Sequence, residues 1–283
     1  MKLKKSPSDH NPKYPVQTVG KALEIIELLS KEVSKEGLGI SELSAKLEMG
    51  KSTVHRLLDT LSAYRYVERC PDTTKYRLGW KMFEIGNLIP QQRNLYNIDT
   101  RVLQELCTQY GETVNLGVRV DHSVVTISKM SPKTSLIANL QVGAQEPIYA
   151  TAMGKVLMSE MSKTEVMEIL GDRVFQKFTP NTIANIDDLI VELARIRMQG
   201  YSIDDEEFVA GLSCISMPVR DFNNEIVAGI SVSGPSMRLN FNKIMDIKIG
   251  LEKASTKLST YLGLDQKEEV NLVFEDETII EGQ

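Results

Sequence analysis

Apolar residues recur at helical spacing in the first part of the chain and at strand spacing further on. Val19, Ala22, Leu23, Ile26 and Leu29 form one stripe and predict a first helix that stops before Gly37 and Gly39. Two short amphipathic patterns follow within ISELSAKLEMGKSTVHRLLDTL (Ile40 to Leu61), separated by Met49-Gly50. The first buries Leu43 and Leu47, with Ser41 as its N-cap and Glu42 near its positive end. In the second, Val54, Leu57, Leu58 and Leu61 stand at i, i+3, i+4 and i+7. Its other face carries Lys51, Ser52, Thr53, His55, Arg56 and Thr60. Helix, glycine turn and polar-faced helix predict a helix-turn-helix. Tyr66–Arg69 and Lys75–Leu78 then alternate around Cys70–Thr74, which reads as a β-hairpin. Val67, Tyr76 and Leu78 are expected inward, and Arg69, Lys75 and Arg77 outward. The result is a winged helix-turn-helix.

Past the hairpin, Trp80–Leu88 reads as a linker helix broken at Pro90, and Ile98–Gln109 as a helix burying Val102, Leu103 and Leu106. Thr113–Val120 and Ser123–Lys129 read as strands, and Ser135–Gln141 as a third. Thr151–Met161 is helical with Thr151 as N-cap, and Ile186–Gly200 is a second helix. Cys214–Arg220 and Glu225–Ser233 are closing strands around the Asp221–Asn224 turn, and Phe241–Leu262 is a terminal helix stopped at Gly263. This alternation predicts an α+β domain with a central antiparallel sheet. The expected organisation is a disordered arm over 1–15, the winged helix-turn-helix over 16–79 and a linker helix over 80–97. The α+β domain spans 98–264 and an acidic tail 265–283.

The 283 residues, 42% hydrophobic and 25% charged, suffice for two buried cores. No apolar run approaches the ~18–20 residues that span a bilayer. The opening MKLKKSPSDHNPKYP lacks the apolar segment of a secretory signal. Cys70, Cys107 and Cys214 lie far apart and form neither a disulfide framework nor a metal motif, so a reduced, cytoplasmic setting is expected. The net charge of −5 disfavours a nucleic-acid partner until the chain is divided. Residues 1–98 carry 16 Lys+Arg against 11 Asp+Glu, whereas the remainder carries 17 against 27. A basic part joined to an acidic one suits a DNA reader tethered to a part that should avoid DNA.

Several motifs carry a resemblance. KSTVHRLLDTL followed by YRLG (Tyr76–Gly79) looks like the winged-helix signature of the IclR family of bacterial transcriptional regulators. ETVNLGV (Glu112–Val118), TAMGKVLM (Thr151–Met158), GYSIDDEE (Gly200–Glu207), GLSCISMPV (Gly211–Val219) and ISVSGP (Ile230–Pro235) look like its ligand-domain signature. Six motifs in order over Val16 to Gly263 make the resemblance specific. It implies a GAF-like effector-binding domain, a double-stranded DNA operator as partner, and a homodimer or homotetramer.

Lys51, Ser52, Thr53, His55 and Arg56 on the second helix are the expected DNA contacts, with Arg69, Lys75 and Arg77 on the wing and Gln17 before the first helix. Arg56 ranks first, because a guanidinium binds guanine O6/N7 or a phosphate bidentately. Gly50-Lys51-Ser52 ends like a phosphate-binding loop, but Ala45 occupies the position of the required glycine and the preceding residues are helical. In the second domain, the helix start at Ala152-Met153-Gly154 offers free N–H groups for a carboxylate. Ser231 and Ser233 alternate, so both hydroxyls share a face. By resemblance, Ala152, Met153, Asp204, Leu212, Cys214, Ser231 and Ser233 match pocket positions of relatives that bind small oxo acids. Ala152 and Met153 are bulkier than the residues often found there, which reshapes the pocket. Cys214 has no neighbouring base to make it a nucleophile, and Asp204–Glu207 lacks the spacing of a calcium loop, so no catalytic residue, metal or cofactor is expected. The acidic run is expected to be solvated, with Asp204 turned inward. The expected function is a ligand-responsive repressor controlled by a small carboxylate. The rivals are a sensing module acting through protein partners and a metabolic enzyme.

Overall fold

The computed structural model describes residues 12–32, 36–92, 95, 99–133, 141–171 and 175–264. The chain divides into two compact units, Met1–Tyr96 and Asn97–Gln283.

The first unit contains α1 (Gln17–Ser30), α2 (Ile40–Lys46), α3 (Lys51–Ala63), β1 (Val67–Arg69), β2 (Tyr76–Leu78), α4 (Trp80–Gly86) and α5 (Ile89–Gln92). Its core joins Ile25 and Leu29 of α1 to Leu43 of α2, to Met49 in the turn, and to Val54, Leu57, Leu58 and Leu61 of α3, with Val67 of the wing beneath. The stripe read on α3 is buried in full. That on α1 is rotated: Ile25 and Leu29 face the core, while Val19 and Leu23 are more than half exposed. Gln17 is the first residue of α1 rather than a residue before it. The N-cap of α2 is Gly39, not Ser41, because the Glu42 carboxylate reaches back to accept from the Gly39 N–H at 2.7 Å. The hairpin pairs Val67 with Leu78, Glu68 with Arg77 and Arg69 with Tyr76, and an isolated bridge between Leu38 and Tyr76 sets a third segment beside β2. Pro90 does not end helical structure; it lies in the first turn of α5, where its missing N–H is tolerated.

The second unit contains α6 (Arg101–Tyr110), β3 (Thr113–Val120), β4 (Ser123–Met130), β5 (Gln145–Pro147), α7 (Ala152–Met158), α8 (Lys163–Leu170), α9 (Ile186–Gln199), β6 (Ser202–Asp205), β7 (Leu212–Arg220), β8 (Ile226–Pro235) and α10 (Phe241–Tyr261). The α+β architecture and antiparallel sheet expected from the pattern are present, in the strand order β5-β4-β3-β8-β7-β6. The apolar side chains of α10 and α6 pack on one face of the sheet and α7 on the other. Beyond α7 lies a second cluster that includes Val156, Leu157, Val166, Leu170, Leu189 and Leu193. Helix α7 is covered on all sides, with every one of its seven residues buried. Helix α8 and the short strands β5 and β6 were not expected. The strand expected over Ser135–Gln141, like the arm and the acidic tail, falls on or runs into residues outside those described.

Candidate functional site

On α3, Lys51, Ser52, His55 and Arg56 are exposed and Thr53 is half-buried, opposite the stripe that anchors the helix. Neither Lys51 nor Arg56 takes part in any of the ion pairs found among the described residues, so both cations stay available to a phosphate. The wing differs from expectation. Arg69 is exposed, but Lys75 is held by Glu36 at 3.0 Å and Arg77 by its cross-strand partner Glu68 at 2.7 Å. Pairing raises the Lys75 ammonium above its ordinary pKa, chiefly through the Glu36 hydrogen bond. A phosphate must therefore displace a carboxylate at both wing positions, a small cost because the pairs are solvent-exposed and screened. Gln17 is exposed on α1.

The second site is a polar floor on the sheet face beneath α7. Opposed residues of antiparallel strands point to the same side, so the register decides which side chains meet. One row runs Asp204, Cys214, Ser233, Thr113 across β6, β7, β8 and β3. The next runs Ser202, Ser216, Ser231, Asn115 and ends at Lys129 on β4. The third brings Gly229 opposite Gly117. Met153 of α7 lies on that glycine row: a Cβ at Gly117 would meet its Sδ at 2.5 Å, and one at Gly229 its Cγ at 2.7 Å. The helix thus packs flat on glycine while polar side chains line the adjoining rows. Asn115 Nδ2 donates to Ser233 Oγ at 3.3 Å, and the Glu207 N–H donates to Asp204 Oδ1 at 2.6 Å. Cys214 is half-buried and hydrogen-bonded to Ser233.

Of the sequence-derived residues, the register brings Asp204, Cys214, Ser231 and Ser233 together, with Leu212 on the same face at the end of β7. Ala152 and Met153 are buried at the start of α7 above the sheet. Gly154 is a correction. Its N–H donates to the N-cap oxygen Thr151 Oγ1 at 3.1 Å, so the Gly154 amide is not free for an anion. A Cβ at Gly154 would stand 2.0 Å from the Ile148 carbonyl oxygen; the glycine is required for close approach, and an aspartate there would dislodge the helix. The acidic run is a second correction, because Glu207 is buried as well as Asp204. Thr182 Oγ1 holds the Glu207 carbonyl at 2.6 Å, and the Glu207 carboxylate pairs with the buried ammonium of Lys155 on α7. Lys155 also donates to the Ile203 carbonyl at 2.8 Å and lies 3.8 Å from Glu192.

Sequence reasoning missed Asn115, Lys155, Glu207 and Glu146. Asn115, Lys155 and Glu207 lie within the quoted motifs, but their roles depend on the register, on the burial of α7 and on the path of the loop after β6. Burial, the dominant cause in each case, raises the carboxyls of Asp204 and Glu146 to about 7. Burial first, and then the Asp204 charge, raises the Cys214 thiol well above its ordinary value, which suits a binding group and not a thiolate nucleophile. These shifts set a pH dependence. A carboxyl whose folded pKa exceeds its unfolded one binds protons better when folded, so stability falls as pH rises through the window from about 4 to 7. The two carboxyls together should lose roughly 2–5 kcal/mol between pH 5 and 8. Glu146→Gln and Asp204→Asn should flatten the melting-temperature profile and raise it at pH 8 by several degrees. Equal slopes in wild type and both variants would refute the shifts.

Comparison with known proteins bears on both sites. The model of the IclR helix-turn-helix domain matches residues 18–71, and that of the bacterial transcriptional regulator IclR C-terminal domain matches residues 89–260. The Escherichia coli transcriptional regulator KdgR is 34% identical over 248 residues, 88% of this chain and 93% of that protein. The Escherichia coli transcriptional repressor AllR is 29% identical over 248 residues, 88% of this chain and 91% of its own. The crystal structure of the Thermotoga maritima IclR superposes with a TM-score of 0.74 at 30% identity, covering 88% of this chain and all of that one.

Proposed function

Because the chain belongs to the IclR family of bacterial transcriptional regulators, we propose that it is a cytoplasmic homo-oligomeric repressor whose operator affinity is set by a small carboxylate bound on the polar floor. DNA binding and regulation come with the family; the residues, the sign of regulation and the assembly are the proposal. The observation that carries it is the pairing, within one chain, of an exposed cationic recognition helix with a buried polar site in a separate unit. Lys51, Ser52, Thr53, His55 and Arg56 are assigned to the DNA, with Arg69 and Gln17 as flanking phosphate contacts. Lys75 and Arg77 join them once released from Glu36 and Glu68. Ser231, Ser233 and Cys214 are assigned to the effector together with Asn115, and Met153 and Ala152 close the site from α7. AllR is by name a repressor, which supports repression here.

Exposed apolar side chains support self-association. Trp80 and Phe83 on α4 are 71% and 62% exposed in the single chain, and Ile89, Val19 and Leu23 are also uncovered. A second copy covering them would place two recognition helices on one duplex, as inverted-repeat operators require. The effector then acts by binding the DNA-competent and incompetent arrangements unequally, since equal affinity would shift nothing. No described helix is long and apolar enough to cross a membrane.

Binding to operator DNA is expected to be steeply salt-dependent despite the net charge of −5. If a dimer neutralises about 6–10 phosphates, log K falls with log salt at a slope of about −5 to −9. Fluorescence anisotropy of labelled duplex from 50 to 300 mM salt measures it. A flat profile would leave the chain a sensing module that works through protein partners.

A further inference from the structure

Three buried side-chain atoms on the polar floor, Thr113 Oγ1, Asn115 Oδ1 and Ser202 Oγ, have no hydrogen-bond partner. Their residues are at most 1% exposed. Native structures seldom keep a buried polar atom unpaired, and clustering of such atoms on one face marks a place where a ligand completes the network. Asn115 Oδ1 is the most informative of the three. An amide oxygen only accepts, and the amide nitrogen of the same group is committed to Ser233 Oγ at 3.3 Å. Asp204, on the neighbouring row, offers further acceptor capacity: its carboxylate takes the N–H groups of Glu207 and Phe208 and keeps lone pairs beyond them. A carboxylate, a ketone or an aldehyde on the ligand donates nothing and leaves the Asn115 oxygen unsatisfied. A hydroxyl donates to both.

The register adds a length. Asn115 on β3 and Asp204 on β6 are three inter-strand steps apart, roughly 14 Å between backbones. Ser231, Ser233 and Cys214 on β8 and β7 lie between them, each able to donate as well as accept. A two-carbon acid reaches one end of such a row; a chain of several carbons bearing hydroxyls reaches both.

We infer that the effector is a polyhydroxylated carboxylate of several carbons, with hydroxyls donating to Asn115 Oδ1 and Asp204 and the carboxylate received by the hydroxyls of Ser231 and Ser233. This rests on the effector reading above and narrows it from a small acid to a sugar-acid-like one. A plain aliphatic acid leaves the Asn115 oxygen without a donor. A free polyol leaves the serine donors without their anion.

The test is calorimetric titration of the full chain with matched probes: four- to six-carbon aldonates in both configurations at C2, the straight-chain carboxylates, the alditols and the 2-amino acids of the same lengths. An aldonate is expected to bind at least tenfold tighter than the matched unsubstituted acid and alditol. Asn115→Leu should weaken that aldonate roughly tenfold, with folding checked by thermal melting. If the variant does not fold, the probe series on wild-type protein decides alone. Straight-chain acids binding as tightly as the aldonates would overturn this inference and leave the carboxylate effector standing. Binding confined to alditols or amino acids, or to no probe at all, would overturn both.

Discussion

Lys155→Ala is expected to lower the melting temperature by roughly 6–20 °C, the largest effect of any single substitution considered. The Lys155 ammonium is 1% exposed and sits between the Glu207 carboxylate, the Ile203 carbonyl and Glu192. Removing it leaves the buried Glu207 carboxylate without its partner, and its second oxygen, Oε2, already lacks a hydrogen bond. Breaking a buried ion pair from one side costs about 3–5 kcal/mol. For a unit of this size, each kcal/mol corresponds to about 2–4 °C. Burial pushes the Glu207 carboxyl above its ordinary pKa, and Lys155 opposes that rise. Without the lysine the carboxyl takes up a proton more readily, so the deficit should shrink towards pH 5. Lys155→Met combined with Glu207→Leu should recover much of the loss, because apolar replacements of similar volume remove both charges together. Melting curves at pH 5 and pH 8 decide the matter. A drop below about 3 °C at pH 8 would mean that the pair does not hold α7 to the loop after β6.

Arg56→Ala is expected to lose operator affinity by about 1–3 kcal/mol, between fivefold and two-hundredfold, while the melting temperature stays unchanged. The guanidinium lies on the exposed side of α3, whose anchoring residues Val54, Leu57, Leu58 and Leu61 are all buried. Truncation therefore removes a contact surface without opening a cavity, and exposed substitutions of that kind stay within about 0.5 kcal/mol in stability. Binding must be compared at one fixed salt concentration, because the phosphate contribution would otherwise obscure the loss. Near-wild-type affinity for specific DNA would remove Arg56 from the base contacts.

The recognition helix was legible because its apolar period and polar face are local properties of thirteen residues. The face of α1 was not. Val19 and Leu23 are as apolar as Ile25 and Leu29, and periodicity does not distinguish a side chain facing its own core from one left for a second copy. Strands β5 and β6 escaped because Gln145–Pro147 and Ser202–Asp205 are short edge segments of polar composition without a β-branched run. Helix α8 carries a local signal in its sequence. Ser162 and Glu165 form an S-x-x-E capping box, with the Glu165 carboxylate accepting from the Ser162 N–H at 2.8 Å.

The proposed effector site divides in the same way. The shared face of Ser231 and Ser233 follows from strand alternation, and the Thr151 cap from residue type. Asn115 joins them only through the β3–β8 register, between segments more than a hundred residues apart. Lys155 looked like an ordinary polar position on a short helix, because sequence does not reveal that α7 is covered on every side. Gly154 differs for a related reason: a helix start offers its amide as free, while the threonine cap one turn earlier takes it.

Selection of bound duplexes from a random-sequence pool tests most directly whether α3 reads DNA as proposed. The full chain should enrich an inverted repeat whose half-sites are about one helical turn apart, and Arg56→Ala should enrich a site in which the base pair read by Arg56 is no longer specified. Failure of the wild-type chain to enrich any sequence, or enrichment of the same site by Arg56→Ala, would contradict the assignment.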